Sequence, residues 1–134
     1  PMAVAWVDPD LAADPRHRLL TPRIALTHRT GFPNWRSGRL AFERDPGSAV
    51  GYSGEGFEYL ARYAERRTRA SFESLAQELV FGPAGMRDTA FTARPWFRDR
   101  VAVPTEADGR ALEPAIRTPF LASDDLHTTA SDYA

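Results

Sequence analysis

The sequence predicts a mainly α-helical fold with irregular loops and one small β-hairpin. Two segments carry apolar residues at helical spacing, and eleven prolines and nine glycines interrupt regular structure elsewhere. One short stretch contains a hairpin turn signal, Asp108-Gly109. The chain has 134 residues, of which 43% are apolar, so we expect one domain with a hydrophobic core.

Composition excludes several classes of function. The net charge of −1 gives no bulk electrostatic reason to expect binding to nucleic acid. No apolar run is long enough to predict a membrane span. The chain has no cysteine and no lysine, which rules out thiolate sites, Schiff bases and lysine general bases within these residues.

The first predicted helix begins at residue 22. Thr21 can cap it, and Pro22 suits the first helical position because its missing N–H has no helical partner there. Gly31 is expected to end this helix in a left-handed conformation. A long surface loop follows, and a second helix is predicted from Ser53 or Gly54 to about Arg67, with Phe57, Leu60, Ala61 and Ala64 as its apolar positions.

A third helix is predicted after Ser71 and is expected to end at Gly82-Pro83. Its apolar face would consist of Phe72, Leu75, Ala76, Leu79 and Val80. Residues 100–114 predict the hairpin. Thr129 and Asp132 have the spacing of a helix-start capping box, and the chain stops inside the turn that they begin. We therefore expect residues 1–134 to be a single partial domain of a longer protein.

The stretch 51–56, GYSGEG, raises the question of catalysis. It does not fit the G-x-S-x-G pattern of a nucleophile elbow, because Glu55 stands where the second glycine is required. Tyr52 is the more interesting residue. A phenol is almost fully protonated at neutral pH, but a nearby cation or the N–H groups of a helix start favour its anion. From the residues alone, Tyr52 is either a proton-transfer group or an ordinary half-buried aromatic.

Four segments together resemble the serine β-lactamase-like superfamily. Residues 26–33, LTHRTGFP, resemble its LLTHTSGLP segment, and residues 52–54, YSG, resemble its Y-x-N motif. Residues 79–89, LVFGPAGMRDT, are similar to IFEPLGMxDT, and residues 126–134, LHTTASDYA, are similar to LxSTAxDYA. Their order and spacing match over nearly the whole chain. The family comprises class C β-lactamases, penicillin-binding D-alanyl-D-alanine peptidases and related carboxylesterases.

The resemblance implies serine acyl transfer on the helical part of the β-lactamase/transpeptidase-like fold. In the family, the serine of an S-x-x-K motif attacks a carbonyl, and the motif's lysine shares the proton transfer with the Y-x-N tyrosine. By motif match, that tyrosine is Tyr52. The S-x-x-K motif is absent here, and so is the closing K-T-G or H-x-G strand. We therefore expect the isolated chain to be inactive.

Three further residues are candidates for substrate binding. Gly54 replaces the asparagine of Y-x-N, which removes an amide contact to the acyl group and favours an esterase or an unassigned member of the family over a β-lactamase. The loop after Gly31 borders the substrate cleft in the family, so Asn34 and Trp35 are expected to contact the acyl substituent. Trp35 would offer a flat apolar face. The alternative is that Trp35 packs down as an ordinary loop residue.

The expected partner is therefore a small-molecule ester, peptide or lactam. No cofactor is expected, and no metal site either, because the three histidines show no metal-ligand spacing. A broad apolar face left open predicts a homo-oligomer. The resemblance favours a periplasmic or secreted bacterial protein. The alternative function is a non-catalytic β-lactamase-like binding module, which the replacement of asparagine by Gly54 favours.

Overall fold

Short helices joined by irregular loops make up most of the protein. The computed structural model describes residues 1–114 and 116–134. The α-helices in these residues are α1 (Pro22–Leu26), α2 (Gly54–Thr68), α3 (Phe72–Ala76), α4 (Gly82–Ala84) and α5 (Ala130–Tyr133). A π-helical turn spans Gln77–Phe81, and 3-10 turns span Met2–Val4, Pro9–Leu11, Pro15–Leu19 and Pro95–Phe97. The predicted mainly α-helical class is confirmed.

The chain forms two compact units, Pro1–Phe72 and Glu73–Ala134. Of the helices in residues 1–114 and 116–134, none is long and apolar enough to cross a bilayer.

The core of the first unit is aromatic and aliphatic. Phe32 and Tyr59 are fully buried, and their ring centroids are 5.6 Å apart. Phe32 also stacks on Phe42 at 4.8 Å, and Trp6 lies 5.2 Å from Tyr59. The remaining members of this cluster are Met2, Leu11, Leu20, Ala25 and Leu40. Burying large rings stabilises the unit chiefly through the apolar area removed from water.

Helix α1 begins as predicted but ends earlier. The Thr21 hydroxyl accepts the Ile24 N–H at 3.2 Å, and Pro22 occupies the first position. The helix ends at Leu26, and His28 already has a φ of 53°. Gly31 is therefore not its terminator. Gly31 has a φ of 79° and lies in a later turn. The backbone carbonyl of Arg44 occupies the space that a β-carbon on Gly31 would need.

Helix α2 is the longest element, and its predicted bounds are confirmed to within a residue. The Ser53 hydroxyl accepts the Gly56 N–H at 3.0 Å and caps the helix, which ends at Thr68 with Arg69 in a left-handed conformation. The predicted apolar positions do not describe the buried face well. Tyr59 is fully buried against Trp6 and Phe32, and Glu55 and Glu58 are almost fully buried. Charged positions therefore share the buried side of the helix with the apolar ones.

The third predicted helix starts at the expected residue, Phe72, but two other parts of that prediction are wrong. Leu79 and Val80 are 67% and 52% exposed, while Phe81 is buried. The π-helical turn at Gln77–Phe81 adds a residue per turn and rotates the apolar face away from its 3.6-residue register. Gly82-Pro83 does not end the helix either. Helix α4 follows directly, and Gly85, with a φ of 71°, ends it.

The predicted hairpin is reduced to a single antiparallel bridge, between Thr105 and Ala111. The turn lies at the expected place, because Gly109 has a φ of 86° and its N–H binds the Glu106 carbonyl. Pro104 accepts a hydrogen bond from Leu112 but has no N–H to return, which stops the ladder. Thr129 caps α5, since its Oγ1 accepts the Asp132 N–H at 3.2 Å. Asp132 Oδ2 accepts the Asp88 N–H and the Thr89 hydroxyl, each at 2.7 Å.

A buried carboxylate organises part of the second unit. Glu73 accepts the N–H groups of Phe91 and Thr92 at 2.7 and 3.1 Å, and it binds Arg94 at 2.7 Å and Gln77 at 3.0 Å. Burial raises the pKa of Glu73, but the hydrogen bonds from Gln77, Arg94 and the two backbone N–H groups outweigh it, and the pKa lies below its ordinary value.

Candidate active site

Tyr52 lies immediately before the N-cap residue of α2, in the first unit. Its side chain is 71% exposed, so its phenol is open to solvent. The backbone around it is fixed from both sides: the Gly51 N–H binds the His28 carbonyl at 2.8 Å, and the Ser53 hydroxyl donates to the Pro33 carbonyl at 2.7 Å. Tyr52 is therefore an exposed phenol on a rigid helix entry.

His28 supports the Tyr52 ring. The two rings stack with centroids 4.5 Å apart and an interplanar angle of 27°. The imidazole also lies 4.9 Å from Phe57, and its Nδ1 accepts the Ser53 N–H at 3.2 Å. A nitrogen that accepts a hydrogen bond carries no proton, so the geometry assigns the neutral Nε2–H tautomer to His28. This residue fixes the face of the tyrosine ring and the backbone after it.

Two glycines of residues 51–56, Gly51 and Gly54, lie against side chains that occupy the space of a β-carbon. A β-carbon at Gly51 would overlap the guanidinium group of Arg44. A β-carbon at Gly54 would lie 2.6 to 2.9 Å from three carbons of the Trp35 benzo ring, closer than such contacts occur. Gly54 fits beneath this indole as it lies, and a side chain at position 54 would require the ring or the helix start to move.

Asn34 and Trp35 reach α2 through different contacts. The Asn34 side-chain oxygen accepts the Gly54 N–H at 3.0 Å, and its backbone carbonyl accepts the Glu55 N–H at 3.0 Å. Two helix-start donors that lack intrahelical partners are thereby satisfied. Trp35 packs on Gly54 and remains 46% exposed. The structure thus brings all four predicted residues, Tyr52, Gly54, Asn34 and Trp35, together at the start of α2.

An ion-pair cluster centres on the buried Glu55 carboxylate, in the first turn of α2. The Glu55 side chain is 7% exposed and lies 3.6 Å from the Arg36 guanidinium and 3.9 Å from that of Arg62. Arg62 also lies 3.6 Å from Asp8. One oxygen of the Glu55 carboxylate also accepts a hydrogen bond from the backbone N–H of Arg36 at 3.4 Å. Glu55 therefore ties the loop that carries Trp35 to the first turn of α2.

Tyr59, within α2, and Tyr52, just before it, have opposite environments. Tyr59 is fully buried, and burial raises the pKa of the Tyr59 phenol. A buried phenol of this kind stays protonated and does not reach a substrate. Tyr52 is the tyrosine of this pair that can exchange a proton with a bound molecule.

Sequence reasoning missed the roles of His28 and Glu55 at this surface. His28 lies beyond α1 and under the Tyr52 ring. Glu55 is buried beside the Arg36 and Arg62 guanidinium groups. Both make contacts across 19 to 25 residues of sequence, and no local spacing pattern could have indicated them.

A cavity of about 530 Å³ lies in the second unit. Its walls are mainly apolar and include Trp96 and Phe97. Four of its polar side chains already make hydrogen bonds within the protein. Arg100 binds Asp88 at 3.0 and 3.2 Å, and Nδ1 of His127 binds the Asp125 carbonyl at 3.0 Å. The Thr128 hydroxyl lies 2.8 Å from that of Thr89, and the Thr129 hydroxyl accepts the Asp132 N–H. None of the predicted site residues lines this cavity, so the α2 entry is the better candidate. Within residues 1–114 and 116–134, no group of three or more potential metal ligands converges.

Comparison with known proteins agrees with the resemblance found in the sequence. The β-lactamase family model matches residues 5–134. A search of curated protein sequences found no match. Among solved structures, a class C β-lactamase superposes with a TM-score of 0.76 at 14% identity, covering 93% of this chain and 38% of the other.

Two bacterial structures give similar results. A D-alanine carboxypeptidase from Burkholderia cenocepacia has a TM-score of 0.72 and 19% identity, with 93% of this chain and 37% of the other covered. A β-lactamase/D-alanine carboxypeptidase from Pseudomonas syringae has a TM-score of 0.69 and 19% identity, with 94% and 39% covered. At these identities the likeness establishes the fold, and the chain spans about two-fifths of the length of these structures. With the family model matching nearly every residue, the chain belongs to the β-lactamase family.

Proposed function

We propose that this chain is the helical part of a longer serine hydrolase that transfers acyl groups from ester or peptide-like substrates, with Tyr52 as its proton-handling residue. The observation that carries the proposal is the exposed Tyr52 phenol, held at a rigid helix entry by the His28 ring. We also propose that the chain forms a homo-oligomer through an exposed apolar face. Size-exclusion chromatography measures its oligomeric state.

The proposed reaction needs groups outside these residues. A serine supplied by another part of the longer protein attacks the ester or amide carbonyl. Tyr52 and a lysine, also from outside this chain, pass the serine proton towards the leaving group. Gly54 and Trp35 form the adjoining substrate surface, and Asn34 offers its side-chain NH₂ group, since its oxygen already binds the Gly54 N–H.

The decisive experiment compares Tyr52→Phe with Tyr133→Phe in the full-length protein, using p-nitrophenyl ester hydrolysis. Tyr133 is the matched control because its side chain is also exposed, at 77%. Tyr52→Phe keeps the ring that stacks on His28 and removes only the hydroxyl. We expect kcat to fall by about 10²- to 10⁴-fold in Tyr52→Phe and to remain unchanged in Tyr133→Phe.

The isolated 134 residues should not hydrolyse the ester, because they contain neither the lysine nor the serine partner. Hydrolysis by this chain alone that disappears in Tyr52→Phe would contradict the proposal. Equal rates for the full-length wild type and its Tyr52→Phe variant would contradict it as well.

The second candidate function is a non-catalytic binding module. The packing of Trp35 on Gly54 favours it, because the position two residues after Tyr52 has no polar side chain. The two functions make different predictions for the full-length protein. A binding module would retain ligand without turnover, and the sequence upstream would lack an S-x-x-K motif.

A further inference from the structure

The Trp35 indole occupies the space that a side chain at position 54 would need. A β-carbon built on Gly54 would lie 2.6, 2.8 and 2.9 Å from Cη2, Cζ2 and Cζ3 of the ring. The ring is nevertheless 46% exposed. The surface two residues beyond Tyr52 is therefore formed by an indole ring, whose one hydrogen-bonding group is its Nε1–H.

The loop that carries Trp35 is held from both sides. The backbone carbonyl of Asn34 accepts the Glu55 N–H at 3.0 Å, and a Glu55 side-chain oxygen accepts the Arg36 N–H at 3.4 Å. Both chain neighbours of Trp35 are thus bound to a single residue in the first turn of α2. Because Glu55 is buried and lies beside the Arg36 and Arg62 guanidinium groups, this clamp is shielded from solvent.

On the proposed function, a substrate at the Tyr52 hydroxyl that extends past Gly54 meets the exposed part of the Trp35 ring. Stacked or edge-to-face contacts between rings stabilise a complex beyond the area that they bury, by an amount equivalent to about three- to tenfold in affinity. A short aliphatic acyl group gains little from such a surface. An acyl group that ends in a ring gains both the buried area and the ring contact.

We propose that Trp35, seated on Gly54, selects substrates with an aromatic acyl group, and that Glu55 is the positioning residue that holds it there. This inference rests on the proposed acyl-transfer function for its catalytic consequence. The contact itself is a property of the first unit.

The catalytic test uses two esters with the same leaving group, p-nitrophenyl phenylacetate and p-nitrophenyl acetate. The quantity compared is the ratio of their kcat/KM values for the full-length protein. We expect Trp35→Ala to lower this ratio by about three- to tenfold, mainly through KM for the phenylacetate. Trp35→Phe should keep the ratio close to its wild-type value. Leu79 is an exposed apolar residue of the second unit, and Leu79→Ala should leave the ratio unchanged. An unchanged ratio in Trp35→Ala would overturn the inference.

A second test does not depend on turnover. In NMR spectra of the 134-residue chain, the Gly54 Hα protons should resonate upfield because of the indole ring current, and Trp35→Ala should remove this shift. Sodium phenylacetate should perturb the Trp35 indole N–H and the Gly54 amide, whereas sodium acetate should not. Phenylacetate binding without any ester hydrolysis would reject the proposed function and support the inference. Ester hydrolysis that requires Tyr52, without any effect of phenylacetate at Trp35, would support the proposed function and reject the inference.

The role of Glu55 has its own control. Glu55→Ala removes the acceptor for the Arg36 N–H, whereas Glu55→Gln keeps a carbonyl oxygen in its place. We expect Glu55→Ala to weaken the Gly54 ring-current shift and to lower the ester ratio, and Glu55→Gln to restore both. If Glu55→Ala folds and leaves both quantities at their wild-type values, the positioning role is wrong.

Discussion

The contact between Trp35 and Gly54 predicts a specific energetic coupling between two residues that are 19 positions apart. Gly54→Ala introduces a β-carbon that would lie 2.6 to 2.9 Å from the Trp35 ring. The ring or the helix start must move to relieve this overlap. In the Trp35→Ala background the same methyl group meets no ring, so Gly54→Ala should behave differently there.

The expected magnitudes follow from the geometry. Overpacking of this kind typically costs about 1–3 kcal/mol. Alanine gains up to about 1 kcal/mol over glycine in a helix interior and less at the first helical residue. Gly54→Ala should therefore destabilise the protein by about 1–2 kcal/mol. Trp35→Ala alone should cost about 2 kcal/mol, since the ring is roughly half buried and a fully buried one costs about 3–5 kcal/mol.

The assay is a double-mutant cycle measured by urea unfolding of wild type, both single variants and the double variant. With Trp35 already replaced, Gly54→Ala should be neutral or slightly stabilising, which gives a coupling free energy of about 1–3 kcal/mol. If Gly54→Ala costs the same in both backgrounds, the ring does not lie over Gly54 and the inference about acyl selection fails with it.

Two further predictions concern the second unit. Glu73→Ala should lower the free energy of unfolding by about 2–4 kcal/mol, because the Phe91 and Thr92 N–H groups and Arg94 lose their acceptor. Glu73→Gln keeps one acceptor oxygen and should lower it by less. Urea unfolding of both variants measures these differences. The pKa of Glu73 lies below its ordinary value of 4.5, so its stabilisation is complete above that value and is lost as the pH falls through the lower folded pKa. Thermal unfolding should therefore show a smaller acid-side loss in Glu73→Gln than in wild type, and equal losses would contradict this sign.

Local features of the fold were predictable because they depend on neighbours within one helical turn. Thr21, Ser53 and Thr129 each accept a backbone N–H three residues ahead, as their spacing indicates. The start of α2 follows from the same rule. The end of the third helix was not predictable in this way, because a π-helical turn changed the register and carried Leu79 and Val80 to the surface.

The candidate site also has features that depend on near neighbours in the sequence and features that depend on distant ones. The sequence by itself determined that a tyrosine precedes a capped helix, that position 54 has no side chain and that a tryptophan lies in the preceding loop. Only the tertiary structure decided that this tryptophan covers Gly54, that His28 stacks under Tyr52 and that Glu55 is buried among arginines. Helix caps are set by hydrogen bonds between near neighbours. Apart from the Glu55–Arg62 pair within α2, these contacts join residues 19 to 24 positions apart, and only the packing of the whole unit brings such residues together.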